Sequence, residues 1–148
     1  MSIASYQVQA AIHQALWSHA ELTDLLARPD ANKGVYDAVP EGAEYPYVRI
    51  GGGDRETNRP SSMTTAGREL TVHVHIWSRS KGFGEAKLIG AIVAERLSPT
   101  SGIGYALNLT PWDWEGTLFT DAQWLDDPDG LTRHGVLQFR VRCRRVAA

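Results

Sequence analysis

The chain has 148 residues, 43% hydrophobic and 22% charged, with a formal net charge of −2 and a pI near 6.2. That length can bury a core without staples, and the composition is that of an ordinary globular protein, so disorder as the overall state is excluded. The near-neutral charge excludes a global attraction to nucleic acid or anionic membrane, the single cysteine excludes an internal disulfide framework, and no apolar run reaches the ~18 residues of a membrane span.

The N-terminus, MSIASYQVQAAIHQALW, lacks a basic segment followed by a purely apolar one, so the expected product is soluble and made in the cytoplasm. Val8, Ile12, Ala15 and Leu16, then Leu22, Leu25 and Leu26, are spaced for a pair of helices that each bury one face. Ser18 and Glu21 form an S-x-x-E pattern that predicts a capping box at the second helix, with Trp17 and Leu22 as its hydrophobic staple and Pro29 as its end.

"GVYDAVPEGAEYPYVRI" predicts a short extended piece, a turn and a strand, because Pro40 and Pro46 forbid helix while Tyr47, Val48 and Ile50 favour a sheet. "GGGDRETNRPSSMTTAG", residues 51–67, carries almost nothing apolar and predicts a long polar loop. Two readings stand there: a mobile hairpin tip, or an arm that orders on a partner. Residues 69–78 alternate, with Leu70, Val72, Val74 and Ile76 on one face and Thr71, His73, His75 and Trp77 on the other, which predicts a strand. Ala86, Ile89, Ile92, Val93 and Leu97 then mark a helix that starts near a cap at Ser80 or Gly82 and ends before Pro99. Gly90 inside it predicts close packing against the sheet, since a glycine there costs about 1 kcal/mol relative to alanine. The last third predicts three strands separated by Gly116 and by the turn "DDPDG". In the final strand Leu137, Phe139, Val141 and Cys143 share a face, and Gln138, Arg140, Arg142 and Arg144 share the other. The order of elements predicts a single α+β domain, with an antiparallel or mixed sheet and helices packed on one face.

Several residues invite a chemical reading. His73 and His75, at i and i+2, project from one strand face as two zinc ligands do, but a site needs at least a third ligand and a supporting shell. "KGFGEAK" has Gly82 and Gly84, yet Lys87 stands where a dinucleotide fingerprint wants its third glycine, so a turn and helix start explain it better. The acidic turn at Asp126, Asp127 and Asp129 lacks the ligand spacing of a calcium loop. Asp113 and Glu115, with Trp112 and Trp114 opposite them, fit amphipathic alternation better than paired catalytic carboxylates. Cys143 fits a buried small residue better than a nucleophile. The arginine face is harder to dismiss: three like charges side by side on a strand repel, so each needs water, a carboxylate or an anionic partner.

Taken together, "YDAVPEGAEYPYVRIG", "GRELTVHVHIWSRSKGFGEAKLIGAIVAERL" and "DGLTRHGVLQFRVR" resemble, in that order, the segments of the siphophage tail-completion (tail terminator) proteins of the HK97 type, which also occur in prophages and gene transfer agents. The resemblance covers nearly the whole chain, and its specificity lies in the order and spacing of the segments. It implies a structural protein, made in the bacterial cytoplasm and found at the head–tail junction of the virion. It also implies a homohexameric ring on the head-proximal end of the tail tube, which stops polymerisation of the tube protein and presents a surface to head-completion (connector) proteins. DNA would pass through the ring without sequence-specific binding. No enzyme activity, metal, cofactor or membrane is implied. Arg55, Arg59, Arg140, Arg142 and Arg144 are the expected subunit or partner contacts, with Arg140, Arg142 and Arg144 expected at subunit contacts rather than in the bore. The alternatives are a small metal- or phosphate-dependent enzyme using His73, His75 and the Lys81 to Lys87 turn, or a head-side connector adaptor.

Overall fold

In a computed structural model, which describes residues 2–28, 30–59 and 65–146, the chain forms three helices and one mixed sheet. Helix α1 spans Ser5–Trp17 and α2 is a single turn, Ala20–Thr23. Strands β1 (Val35–Tyr36), β2 (Tyr47–Ile50), β3 (Arg55–Arg59) and β4 (Thr65–Ser78) follow, then α3 (Gly84–Leu97), and finally β5 (Asp113–Asp126) and β6 (Arg133–Val146). The sheet order is β1-β2-β4-β6-β5, with β3 also paired to β4. Only β1 and β2 run parallel.

Alternation in β4 and β6 sets the layers. Leu70, Val72, Val74 and Ile76 of β4 and Leu137, Phe139, Val141 and Cys143 of β6 are all buried, and so are Ile89, Ile92, Val93 and Leu97 of α3 and Val8, Ile12, Ala15 and Leu16 of α1. Both long helices therefore cover one face of the sheet. Burial holds the Cys143 thiol up near a pKa of about 11, which suits a core residue and not a nucleophile. Gly90 is required by this packing: a Cβ there would lie 2.6 Å from the Trp124 ring, and one at Gly135 would also lie 2.6 Å from it. The Trp124 indole thus fills a slot between α3 and β6 that two glycines keep open.

Four expectations need correction. The capping box does not form: the Ser18 hydroxyl donates to the Gln14 carbonyl at 2.7 Å and closes α1, while α2 begins at His19 with no side-chain cap. Helix α2 ends at Thr23, Leu25 is exposed, and Pro29 lies outside the described residues. Helix α3 starts after Phe83, not at a Ser80 or Gly82 cap. The last third holds two strands: residues 103–109 form no strand, although Leu107 and Leu109 join the core, and Gly116 marks an irregularity inside β5 rather than a strand end.

The largest departure concerns residues 51–67. Residues 60–64 lie outside the described residues, but the rest is no simple loop: β3 pairs with β4 from Arg55↔Thr71 to Arg59↔Gly67, making a hairpin arm. Strands β2 and β3 line the same edge of β4 and are separated by Gly51, Gly52 and Gly53, all at positive φ, and by Asp54. Across that break the ladder is kept by Gly51 N–H donating to His73 O at 2.9 Å and by His73 N–H donating to the Asp54 carboxylate at 2.9 Å. The arm is also tied to the body. The Glu56 carboxylate accepts from the Ala4 backbone N–H at 2.9 Å and from the Ser5 hydroxyl at 2.5 Å, placing a negative charge at the N-terminus of α1. Arg68 in turn lies 3.5 Å from Glu56 and donates to Ser2 O at 3.0 Å.

Candidate assembly surface

Among the described residues no helix covers the second face of the sheet, and the histidine pair and the five expected arginines sit there. Register places the arginines. Arg55, Thr71, Arg140 and Leu118 form one row across β3, β4, β6 and β5. Thr57, Glu69, Arg142 and Gly116 form the next, and Arg59, Gly67, Arg144 and Asp113 the third. Directly opposed residues share a face, so the five expected arginines surround Glu69 on one patch.

Like charges this close need holding, and two glutamates hold three of them. Glu69 accepts from Arg142 Nε at 2.9 Å through one oxygen. Its other oxygen lies 3.3 Å from Arg140 Nε, an ion pair whose angle falls short of a hydrogen bond. Arg59 reaches over Gly67, where a Cβ would lie 3.1 Å from the Arg59 carbonyl oxygen, to pair with Glu115 and donate to the Cys143 carbonyl at 3.3 Å. Arg55 and Arg144 are exposed and have no ion-pair partner among the described residues, although Asp113 stands opposite Arg144. A shallow pocket of about 200 Å³, lined by Arg140, Arg142 and residues 115–118, opens beside them. Leu118 at its rim is 56% exposed.

The histidines occupy the other half of the same face and do not converge. His73 Nδ1 lies 3.2 Å from the Asp54 carboxylate. His75 Nδ1 and His134 Nε2 are 2.9 Å apart and share one hydrogen bond, while Trp77 stacks flat on His134 with centroids 3.7 Å apart. Burial lowers the pKa of both imidazoles, that of His134 to about 4, where the neighbouring His75 adds to the effect. Two ring nitrogens are therefore spent on each other. Among the described residues no group of three or more His, Cys, Asp or Glu side chains is arranged to hold a metal. Lys81 and Lys87 belong to the turn and to α3, which packs on the opposite face, so the fold does not join them to His73 and His75. The acidic turn is self-contained: Asp129 accepts from Leu131 N–H, Thr132 N–H and the Thr132 hydroxyl, and those bonds, led by the hydroxyl, hold its pKa down.

The sequence did not single out Glu69, Glu115, Asp54 and Trp77 as partners in this surface. Glu69 follows the same alternation as His73, so its face was readable; its position between Arg140 and Arg142 depends on the β4–β6 register, which was not.

A family model described as tail completion protein gp17 matches residues 10–144. The tail completion protein gp17 of Bacillus phage SPP1 is 27% identical over 143 residues, which cover 93% of this chain and 92% of that protein. A chain in the solved virion of a native gene transfer agent particle superposes with a TM-score of 0.81 at 26% identity, over 97% of this chain and 99% of that one. A one-sided α+β sheet whose bare face carries paired charges agrees with these matches, and the chain belongs to the tail completion protein gp17 family, as a tail component of a phage-type or gene transfer agent virion.

Proposed function

We propose that the protein closes the head-proximal end of the tail tube as a homohexameric ring, stopping addition of tube protein and offering a joining surface to head-completion proteins. The observation that carries the reading is the bare sheet face with its five arginines, in a chain whose family is structural. A closed ring needs two different patches per subunit that meet head to tail, and a charged face that no element of the chain covers is suited to be one of them. Arg55, Arg59, Arg140, Arg142 and Arg144 act in this reading at protein–protein contacts, while DNA passes through the ring without sequence readout. The arm carries Arg55 and Arg59 to that contact.

Imaging of tail tubes assembled with and without the protein tests the proposal. With it, tubes end in a six-fold ring at one end and have uniform length; without it, they overgrow. A ring found only on the head connector would favour the head-side adaptor instead. Arg142→Glu reduces ring occupancy on tubes while leaving the fold intact by circular dichroism, and full occupancy by that variant would remove the arginines from the contact.

A further inference from the structure

Resting on the ring reading, we infer that the arginine face receives the β1–β2 connection, residues 37–44, of a neighbouring copy of this chain. That segment, "DAVPEGAE", carries Asp37, Glu41 and Glu44 with no lysine or arginine among them. All three are exposed, and none forms an ion pair among the described residues. Other acidic stretches are neutralised within the chain: at the β5–β6 turn, Asp126 lies 3.4 Å from Arg133 and Asp129 lies 3.9 Å from Arg79. On the arginine patch, Arg55 and Arg144 have no carboxylate partner among the described residues.

The two surfaces also lie on different parts of the molecule, as a head-to-tail contact requires. The acidic connection leaves β1, at one margin of the sheet, whereas the arginine rows run across β3, β4 and β6 on the bare face. The connection and the arginine rows lie apart within one subunit, so a neighbour is what brings them together. Shape agrees with charge: exposed Ala38 and Pro40 stand between the carboxylates, small apolar groups of the size that the pocket beside Arg140 and Arg142 admits. Both partners are charge-bearing rims of a contact, which set orientation and partner choice more than raw affinity.

Reversing the charges tests the pairing. Arg55→Glu with Arg144→Glu, and separately Asp37→Arg with Glu41→Arg and Glu44→Arg, each raise the protein concentration needed for half-maximal ring occupancy on purified tubes by about tenfold or more. Mixing the two variant proteins restores rings, because in an alternating six-membered ring each reversed face meets a reversed segment and each native face a native segment, and one chain carrying all five substitutions likewise recovers occupancy to near the wild-type level. Neutral Arg55→Gln with Arg144→Gln gives a smaller loss in the same direction. A five-fold variant chain as defective as its parents, or an acidic-segment variant that assembles normally, would overturn the pairing. If wild-type protein forms no ring on tubes, the proposed function itself fails and the pairing fails with it.

Discussion

The two faces of β4 and β6 share one backbone and differ in almost everything else. On the helix side, Val74, Ile76, Leu137 and Phe139 are no more than 1% exposed and belong to the hydrophobic core. On the bare side, one residue away along each strand, polar groups are half-buried and held in small separate sets: Glu69 with Arg140 and Arg142, His73 with Asp54, His75 with His134 and Trp77. Period-two alternation sends successive side chains to opposite faces, so one strand can carry folding energy on one side and recognition on the other. A substitution should then report, by its effect on stability, which face it strikes.

The sharpest way to break that division is to empty the apolar side. Phe139→Ala removes a fully buried ring and costs about 4 kcal/mol in chemical denaturation; a loss below about 1 kcal/mol would mean that the helix side is not where stability resides. Acid comes next. Unfolded histidines take up a proton near pH 6.5, whereas folded His134 does so only near 4, so unfolding binds protons between those values and stability falls as the pH drops through that window. The share of the loss due to His134 is on the order of 2 kcal/mol and is complete below about pH 4, and His134→Gln reduces the slope between pH 6.5 and 4 while His75 still contributes there and Asp129 below it. The smallest effect tests the bare face directly: Glu69→Gln changes stability by less than about 1 kcal/mol, because the Arg140 and Arg142 side chains are 40% and 53% exposed and their ion pairs are screened by solvent. A loss of several kcal/mol there would place folding energy on both faces.

What the sequence made legible follows from where its signals come from. The core stripe of β4, the apolar positions of α3 and the need for Gly90 are written in side-chain size and spacing. Arg140, Arg142 and Arg144 were placed on one face by alternation alone. The arm was not legible, because "RETNR" has no apolar period: β3 is held by a backbone ladder to β4 and by Glu56 reaching the start of α1, fifty-odd residues away in sequence. The capping box failed for a related reason. Ser18 had two backbone groups within reach, and the Gln14 carbonyl at the end of α1 won over the first turn of α2. The gathering of Arg55 and Arg59 with the β6 arginines needed the register of three strands, which no local pattern encodes.

Strand β4 is 14 residues long, about 45 Å at the usual rise, and only its second half is paired with β2 in the body; its first half is the inner strand of the arm. Natural variation in this part of the molecule should therefore be quantised. An insertion or deletion of two residues in each strand moves the arm tip by about 6.6 Å and keeps Arg55 and Arg59 on the bare face. A change of a single residue in one strand would turn part of the arm over, carrying Glu56 away from α1. Relatives that fit tubes of different diameter could adjust reach in such steps while the helix-covered core stays untouched.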